Sequence, residues 1–237
     1  MKDHLATRGV EFKSINIVDE PGAIEELEAL GVMALPVVAR GTQYAIGLDM
    51  EKVFDLVGLD EAQPALLPAE TLAGRISSIV LAAVRYASQL PLSQHNATIP
   101  GRDRTYLGLA NHIVAHVEIF LTFTRGGDFT LDGVDSDVLR GLERRIDLPR
   151  DLVDRADAAN RSFRTWLNES MPSDLERIVS TFFGGQTLHA LLSSCAYSVA
   201  QHTRQLLAVL DELGVEADGP LGPSDYEGLP MPAGVWT

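Results

Sequence analysis

Residues 187–213, TLHALLSSCAYSVAQHTRQLLAVLDEL, carry the pattern that decides the fold of most of this chain. Apolar residues recur along them at intervals of four and three, which is the heptad stripe of a helix packed into a bundle core. The stripe consists of Leu188, Leu192, Cys195, Val199, His202, Leu206, Val209 and Leu213. An aliphatic side chain is expected at each position, and an imidazole there must find partners for two ring nitrogens. His202 is therefore a candidate functional residue.

A second stripe with histidines lies in residues 104–123, which we predict to be helical. Its members are Leu109, His112, His116, Ile119 and Phe123, at intervals of three and four. Side chains four residues apart on a helix have Cβ atoms about 5 to 6 Å apart, so His112 and His116 can reach one ion. With His202 from a facing helix, they would supply three neutral nitrogens and leave coordination positions open, as in catalytic metal sites. The alternative is that all three are hydrogen-bonded core histidines.

Two more amphipathic segments complete the pattern of a bundle. We predict helices at 69–90, 104–123, 150–169 and 187–213, with a short helix at 136–145 inside an acidic stretch. Four helices of about twenty residues favour a four-helix bundle. Residues 60–68 hold two prolines and no periodicity, which is typical of a linker.

Residues 1–59 instead mix the periods of strands and helices. The predicted elements are a strand at 10–17, a helix at 23–30, strands at 35–39 and 44–46, and a helix at 50–57. The expected fold class is therefore α+β with two domains: a small α/β module at 1–59 and, after the linker, an all-α bundle at 69–237.

The first module resembles the later part of a glutaredoxin or thioredoxin fold. Residues 35–38, Leu-Pro-Val-Val, resemble the cis-proline segment of that family, and 46–49, Ile-Gly-Leu-Asp, resemble the residues before its last helix. The family's redox cysteine follows its first strand, whereas residues 1–8 resemble the end of the helix after that cysteine. Two interpretations stay open: a docking or structural module that has lost its chemistry, or a start codon placed too late.

The bundle resembles the DinB/YfiT-like metal-binding family. Residues 198–206, SVAQHTRQL, resemble its fourth-helix signature, and 109–113, LANHI, resemble its second-helix segment. The tail residues 228–232 and 235–236 also resemble those of some members. The resemblance implies a three-histidine site for a divalent metal, Zn²⁺ or Ni²⁺. It also implies kinship with transferases and isomerases that use glutathione, mycothiol or bacillithiol.

Carried over by position, the family's ligands fall on His112, Ser198 and His202, so one histidine is replaced by serine. A neutral hydroxyl is a poor ligand for these ions. Three alternatives follow: His116 substitutes from one turn away, the site binds metal weakly, or it has been abandoned. The expected function is a metal-dependent, thiol-dependent transferase or isomerase. The rival is a non-catalytic binding or stress-response protein with degenerate sites.

Arg102 and Arg104 precede the second helix and are candidates for binding an anionic cofactor, such as the carboxylate of a low-molecular-weight thiol. The alternative is a solvated flank of the helix, with Asp103 as its cap.

Composition limits the partners and the compartment. A formal net charge of −14 would repel nucleic acid and anionic membranes, so the expected partners are a small molecule or thiol and a second copy of the chain in a homodimer. We expect no apolar run of membrane-spanning length and no secretory signal, and therefore a cytoplasmic protein. The single cysteine, Cys195, rules out an internal disulfide and is expected to pack in the core.

Overall fold

A computed structural model of the chain gives an α+β protein whose described residues form helices and two small antiparallel sheets. The structure describes residues 2–6, 8–15, 17, 20–32, 36–47, 49–59, 65–100, 104–127, 149–169, 172–181 and 184–236. The predicted short helix at 136–145 lies outside the described residues. The chain divides into two compact units, Met1–Ala65 and Leu66–Thr237.

The first unit contains three helices and a hairpin among its described residues. They are α1 (Lys2–Ala6), α2 (Ala23–Ala29), β1 (Val37–Arg40), β2 (Gln43–Ile46) and α3 (Met50–Val57). The strands pair antiparallel, with Val37 opposite Ile46, and α3 packs on both. Its small core is built on Leu5, Ala45 and Val53.

The predicted strand at 10–17 is wrong over the described residues 10–15, which pair with nothing as a strand. Their apolar side chains are not covered: Phe12 is 41% exposed and Ile15 is 40% exposed. Alternation of apolar and polar residues produces a stable strand only where a neighbouring strand takes up its backbone groups.

The described part of the second unit is dominated by four long helices. They are α4 (Ala69–Gln89), α5 (Tyr106–Thr124), α6 (Pro149–Glu169) and α8 (Leu188–Glu212), with a short α7 (Pro172–Leu175) before α8. Each long helix begins and ends within about two residues of its predicted bounds. Both α4 and α5 pack on α6 and on α8, so their apolar stripes meet in one core. Single-turn 3-10 helices lie at Leu92–Gln94 and Pro223–Tyr226.

A hairpin that the sequence did not predict precedes α8. Strand β3 (Ile178–Thr181) pairs antiparallel with β4 (Gly184–Thr187), and Thr187 then caps α8 by accepting a hydrogen bond from the Ala190 amide at 3.1 Å. The second unit is therefore not all-α. Gly184 and Gly185 begin β4.

Helix α5 is unusually apolar. Among the described residues it is the one helix long and apolar enough to cross a membrane, and 72% of its apolar window is buried inside the protein. Such burial is typical of the core helix of a soluble protein. The expectation that the chain has no apolar run of membrane-spanning length is therefore wrong, because α5 has both the length and the apolar composition.

Candidate metal centre

The histidines of α5 are positioned by a capped, deeply packed helix. Thr105 caps its N-terminus by accepting a hydrogen bond from the Gly108 amide at 3.0 Å. Leu109 and Ile113 are fully buried and fix the rotation of the helix about its axis. His112 and His116 consequently share one face, one turn apart, and both are half-buried.

The structure brings His112, His116 and His202 together from two helices. The ring centroids lie 4.5 Å apart for His112 and His116, 4.6 Å for His112 and His202, and 5.4 Å for His116 and His202. One ligand atom from each ring lies within 4.8 Å of the other two. These three side chains could hold a metal ion, and they are the three that the periodicity singled out.

The ring nitrogens of His112 and His116 are spaced for a small divalent ion. The Nε2 atoms of His112 and His116 are 3.1 Å apart. Two nitrogens bound at about 2.0 to 2.1 Å to a tetrahedral Zn²⁺ are separated by about 3.3 Å, so these rings need to move little to share an ion. Neutral imidazoles suit Zn²⁺, Ni²⁺ or Cu²⁺ and suit Mg²⁺ or Ca²⁺ poorly.

Burial keeps His112 neutral, which is the state that can bind a metal. Removal from water, together with the charges of His202 and Arg104, lowers the pKa of His112 to about 2. A neutral ring has one protonated nitrogen and one lone pair. Without a metal, one Nε2 of the His112–His116 pair can donate to the other at their observed distance.

Of the two arginines expected to bind an anionic cofactor, Arg104 is described and is half-buried. It lies close enough to His112 for its charge to depress the pKa of that imidazole. Arg102 and Asp103 lie outside the described residues. The residue that caps the N-terminus of α5 is Thr105, whereas the sequence had suggested Asp103. Ser198 is half-buried and lies one turn before His202 on α8.

The remaining described histidine rings and the cysteine have structural roles. His189 Nε2 is 2.8 Å from the Leu67 carbonyl oxygen, and the buried His95 Nε2 is 3.1 Å from the Leu90 carbonyl oxygen. Cys195 is buried as expected, and its thiol donates to the His116 carbonyl at 3.6 Å. Burial raises the pKa of Cys195 to about 12, so this thiol stays protonated and is a poor nucleophile.

Sequence reasoning missed the ion pair that braces α5. A glutamate on a helix face ordinarily points to solvent, but Arg155 of α6 donates to both carboxylate oxygens of Glu118 and, at 2.9 Å, to Asn111 Oδ1. Asn111 is buried next to His112 in the chain. The available signal was Asn111 itself, a polar residue inside an apolar run.

We compared the chain with known proteins. No protein-family model matches it, and no curated protein matches it. The functional interpretation therefore depends on the geometry of the site.

Proposed function

We propose that this chain is a divalent-metal protein of the DinB/YfiT-like type, acting as a thiol-dependent transferase or isomerase. The observation that carries the proposal is the convergence of three imidazoles within 4.8 Å of one another. The proposal includes the finer architecture: a partial glutaredoxin- or thioredoxin-like module followed by a DinB-like four-helix bundle. It also includes a cytoplasmic location and a homodimer.

His116 takes the place of the missing family ligand. Ser198 offers only a hydroxyl, whereas the His116 ring is in contact with both other imidazoles. The ligand set is then His112, His116 and His202, with two donors from α5 and one from α8. When bound, the ion would lower the pKa of a coordinated thiol and so supply a thiolate at neutral pH.

The charges around the cluster favour an anionic ligand. Three neutral imidazoles leave the charge of a divalent ion uncompensated, and Arg104 adds a further positive charge beside His112. A thiolate that carries a carboxylate, as in glutathione, would neutralise both. Cys195 does not compete for this role because it is buried and protonated.

A second candidate is a non-catalytic binding protein with a degenerate site. The observation in its favour is the 3.1 Å contact between the Nε2 atoms of His112 and His116, since the two rings can satisfy each other without a metal. The serine at 198 and the absence of a redox cysteine in the first unit point the same way.

Cobalt(II) tests the proposal directly, because a thiolate bound to cobalt gives an intense sulfur-to-metal charge-transfer absorption. Tag-free protein is loaded with cobalt and titrated with glutathione, mycothiol and bacillithiol. We expect the absorption to appear and saturate with at least one thiol, and Arg104→Gln to weaken the binding of a carboxylate-bearing thiol such as glutathione severalfold. His189→Ala, which alters a histidine outside the cluster, is the matched control and should behave as wild type.

The two ways in which this experiment can fail separate the two candidates. Cobalt-loaded protein that shows no charge-transfer absorption with any of the three thiols would overturn the thiol role. Protein that retains no cobalt would favour the non-catalytic candidate.

A further inference from the structure

The C-terminal tail runs beside α8 and is tied to it by three long polar side chains. Gln201, Arg204 and Gln205 donate to the backbone carbonyls of residues 232–235. The carbonyl of Val235 accepts from two of them, Gln201 Nε2 at 2.7 Å and Gln205 Nε2 at 3.1 Å. Gln201 and Gln205 are buried, with 5% and 3% of their surface exposed. Their amides therefore depend on these hydrogen bonds.

The orientation of both amides is fixed by one neighbouring group that can only donate a hydrogen bond and one that can only accept. The guanidinium of Arg204 can only donate, so the atom of Gln201 that it contacts at 3.1 Å must be the oxygen. The Val235 carbonyl can only accept, so it must face the nitrogen of each amide. Gln205 is left with its Oε1 directed at His202 Nδ1, at 2.8 Å.

This chain of hydrogen bonds selects one tautomer of His202. Because Gln205 Oε1 accepts, the Nδ1 of His202 must carry the proton, and its lone pair is on Nε2. In metal sites a hydrogen bond to the second ring nitrogen orients the ligand and raises its basicity, and its loss typically weakens metal affinity by about 10- to 100-fold.

We propose that Gln205 is a positioning residue of the metal centre, held in place by the Val235 carbonyl, so that the C-terminal tail is part of the site. The inference rests on the proposed function, because it deepens the same His112, His116 and His202 cluster. Gln205 contacts no ion in this account. It acts through His202 by fixing which nitrogen is available.

The chain contains a matched control for the loss of a glutamine tie. Gln89, at the end of α4, donates to the Glu216 carbonyl at 2.9 Å and accepts from the Asp218 amide at 2.9 Å. Gln89 thus makes two hydrogen bonds, as Gln205 does, but both go to the C-terminal segment and neither goes to a histidine. If the tail acts only by general stabilisation, Gln89→Leu and Gln205→Leu should have similar effects.

Two measurements on the full chain test the inference. The first is the ¹⁵N chemical shifts of the His202 ring in zinc-free protein at pH 7.5, assigned by their absence in His202→Gln. The second is zinc affinity by competition with a chelator. We expect wild type and Gln89→Leu to have Nδ1 protonated and similar zinc affinities. Gln205→Leu should lose the single tautomer and bind zinc about 10- to 100-fold more weakly.

A conservative variant keeps the test informative if Gln205→Leu does not fold. Gln205→Glu loses the donation to the Val235 carbonyl but retains an oxygen that accepts from His202 Nδ1, so it should keep the tautomer. A wild-type His202 protonated at Nε2 would overturn the inference, as would equal zinc affinities in Gln205→Leu and Gln89→Leu. If neither wild type nor any variant binds zinc, the proposed function fails. The ¹⁵N shifts still decide whether Gln205 sets the tautomer of His202.

Discussion

His112 differs from an exposed histidine because its neutral form is the one that the fold accommodates. Its neighbours are two other imidazoles and, nearby, the positive charge of Arg104. Burial, the charge of His202 and the charge of Arg104 each disfavour a proton on the ring. A neutral imidazole, in contrast, is itself a metal ligand. These surroundings therefore keep His112 in the neutral form that binds metal. They also make protonation of His112 at low pH unfavourable in the folded state.

We predict that metal-free protein loses stability through His112 as the pH falls. The unfolded chain binds a proton near the ordinary pKa of 6.5, whereas in the folded state the pKa of His112 is about 2. Above pH 6.5 both states are neutral and this residue contributes no pH dependence. Below it only the unfolded state gains the proton, so the free energy of unfolding falls by about 1.4 kcal/mol per pH unit from this group.

Urea unfolding in the presence of a chelator, followed by tryptophan fluorescence between about pH 6 and pH 4, checks this prediction. Carboxylates also titrate in this range, so the informative quantity is the difference between wild type and His112→Gln. The variant should show a shallower slope, by up to about one proton. Equal slopes would mean that His112 is protonated in the folded state.

Single residues also show what the sequence could and could not predict about the site. Periodicity identified His112, His116 and His202 because an imidazole on an apolar stripe is conspicuous. Gln205 was missed as a functional residue because it lies beside the stripe, and a polar residue there ordinarily faces water. Only the structure shows that the tail covers it. Residues 232–235 lie outside α8, so no helical periodicity relates them to Gln205.

At the level of helices, the contact between α5 and α6 depends on a partly buried ion pair. The side chains of Arg155 and Glu118 are only 12% and 23% exposed, and Arg155 also donates to Asn111. A carboxylate deprived of its partner in such a place cannot be fully rehydrated. The pair thus holds in place the helix that carries two of the three histidines.

We predict that Arg155→Met lowers the free energy of unfolding by about 1 to 3 kcal/mol. Because much of that loss is the isolated Glu118 charge, the double variant Arg155→Met with Glu118→Met should lose less than the two single variants together. Arg150→Met is the control on the same helix. Because the pair of Arg150 with Asp151 is exposed, this substitution should change the free energy of unfolding by no more than about 0.5 kcal/mol. Additive losses, or equal losses for the two arginines, would contradict the prediction.

The elements that the sequence predicted well are those with a long, regular period. Helices α4, α5, α6 and α8 each show five or more turns of one pattern, so their bounds came out within about two residues. The hairpin of β3 and β4 has strands of only four residues, one of which begins with two glycines. Such a strand has almost no side-chain pattern, and its pairing is a tertiary property.

On the scale of the whole molecule, the two units have different chemical content. Among the described residues, the candidate metal ligands His112, His116 and His202 all lie in the unit Leu66–Thr237. Both tryptophans, Trp166 and Trp236, also belong to it, so tryptophan fluorescence reports the unfolding of that unit alone. The net charge of −14 fits a small cationic ligand such as a metal ion better than it fits a polyanion.

The most direct test of the central claim is the metal content of the full chain. Tag-free protein is incubated with zinc, desalted and analysed for metal and protein in the same sample. We predict one zinc ion per chain for wild type and for His189→Ala, and its loss in His112→Ala and in His202→Ala, with all four proteins folded. A folded wild type that retains no zinc, or variants that retain as much as wild type, would contradict the account.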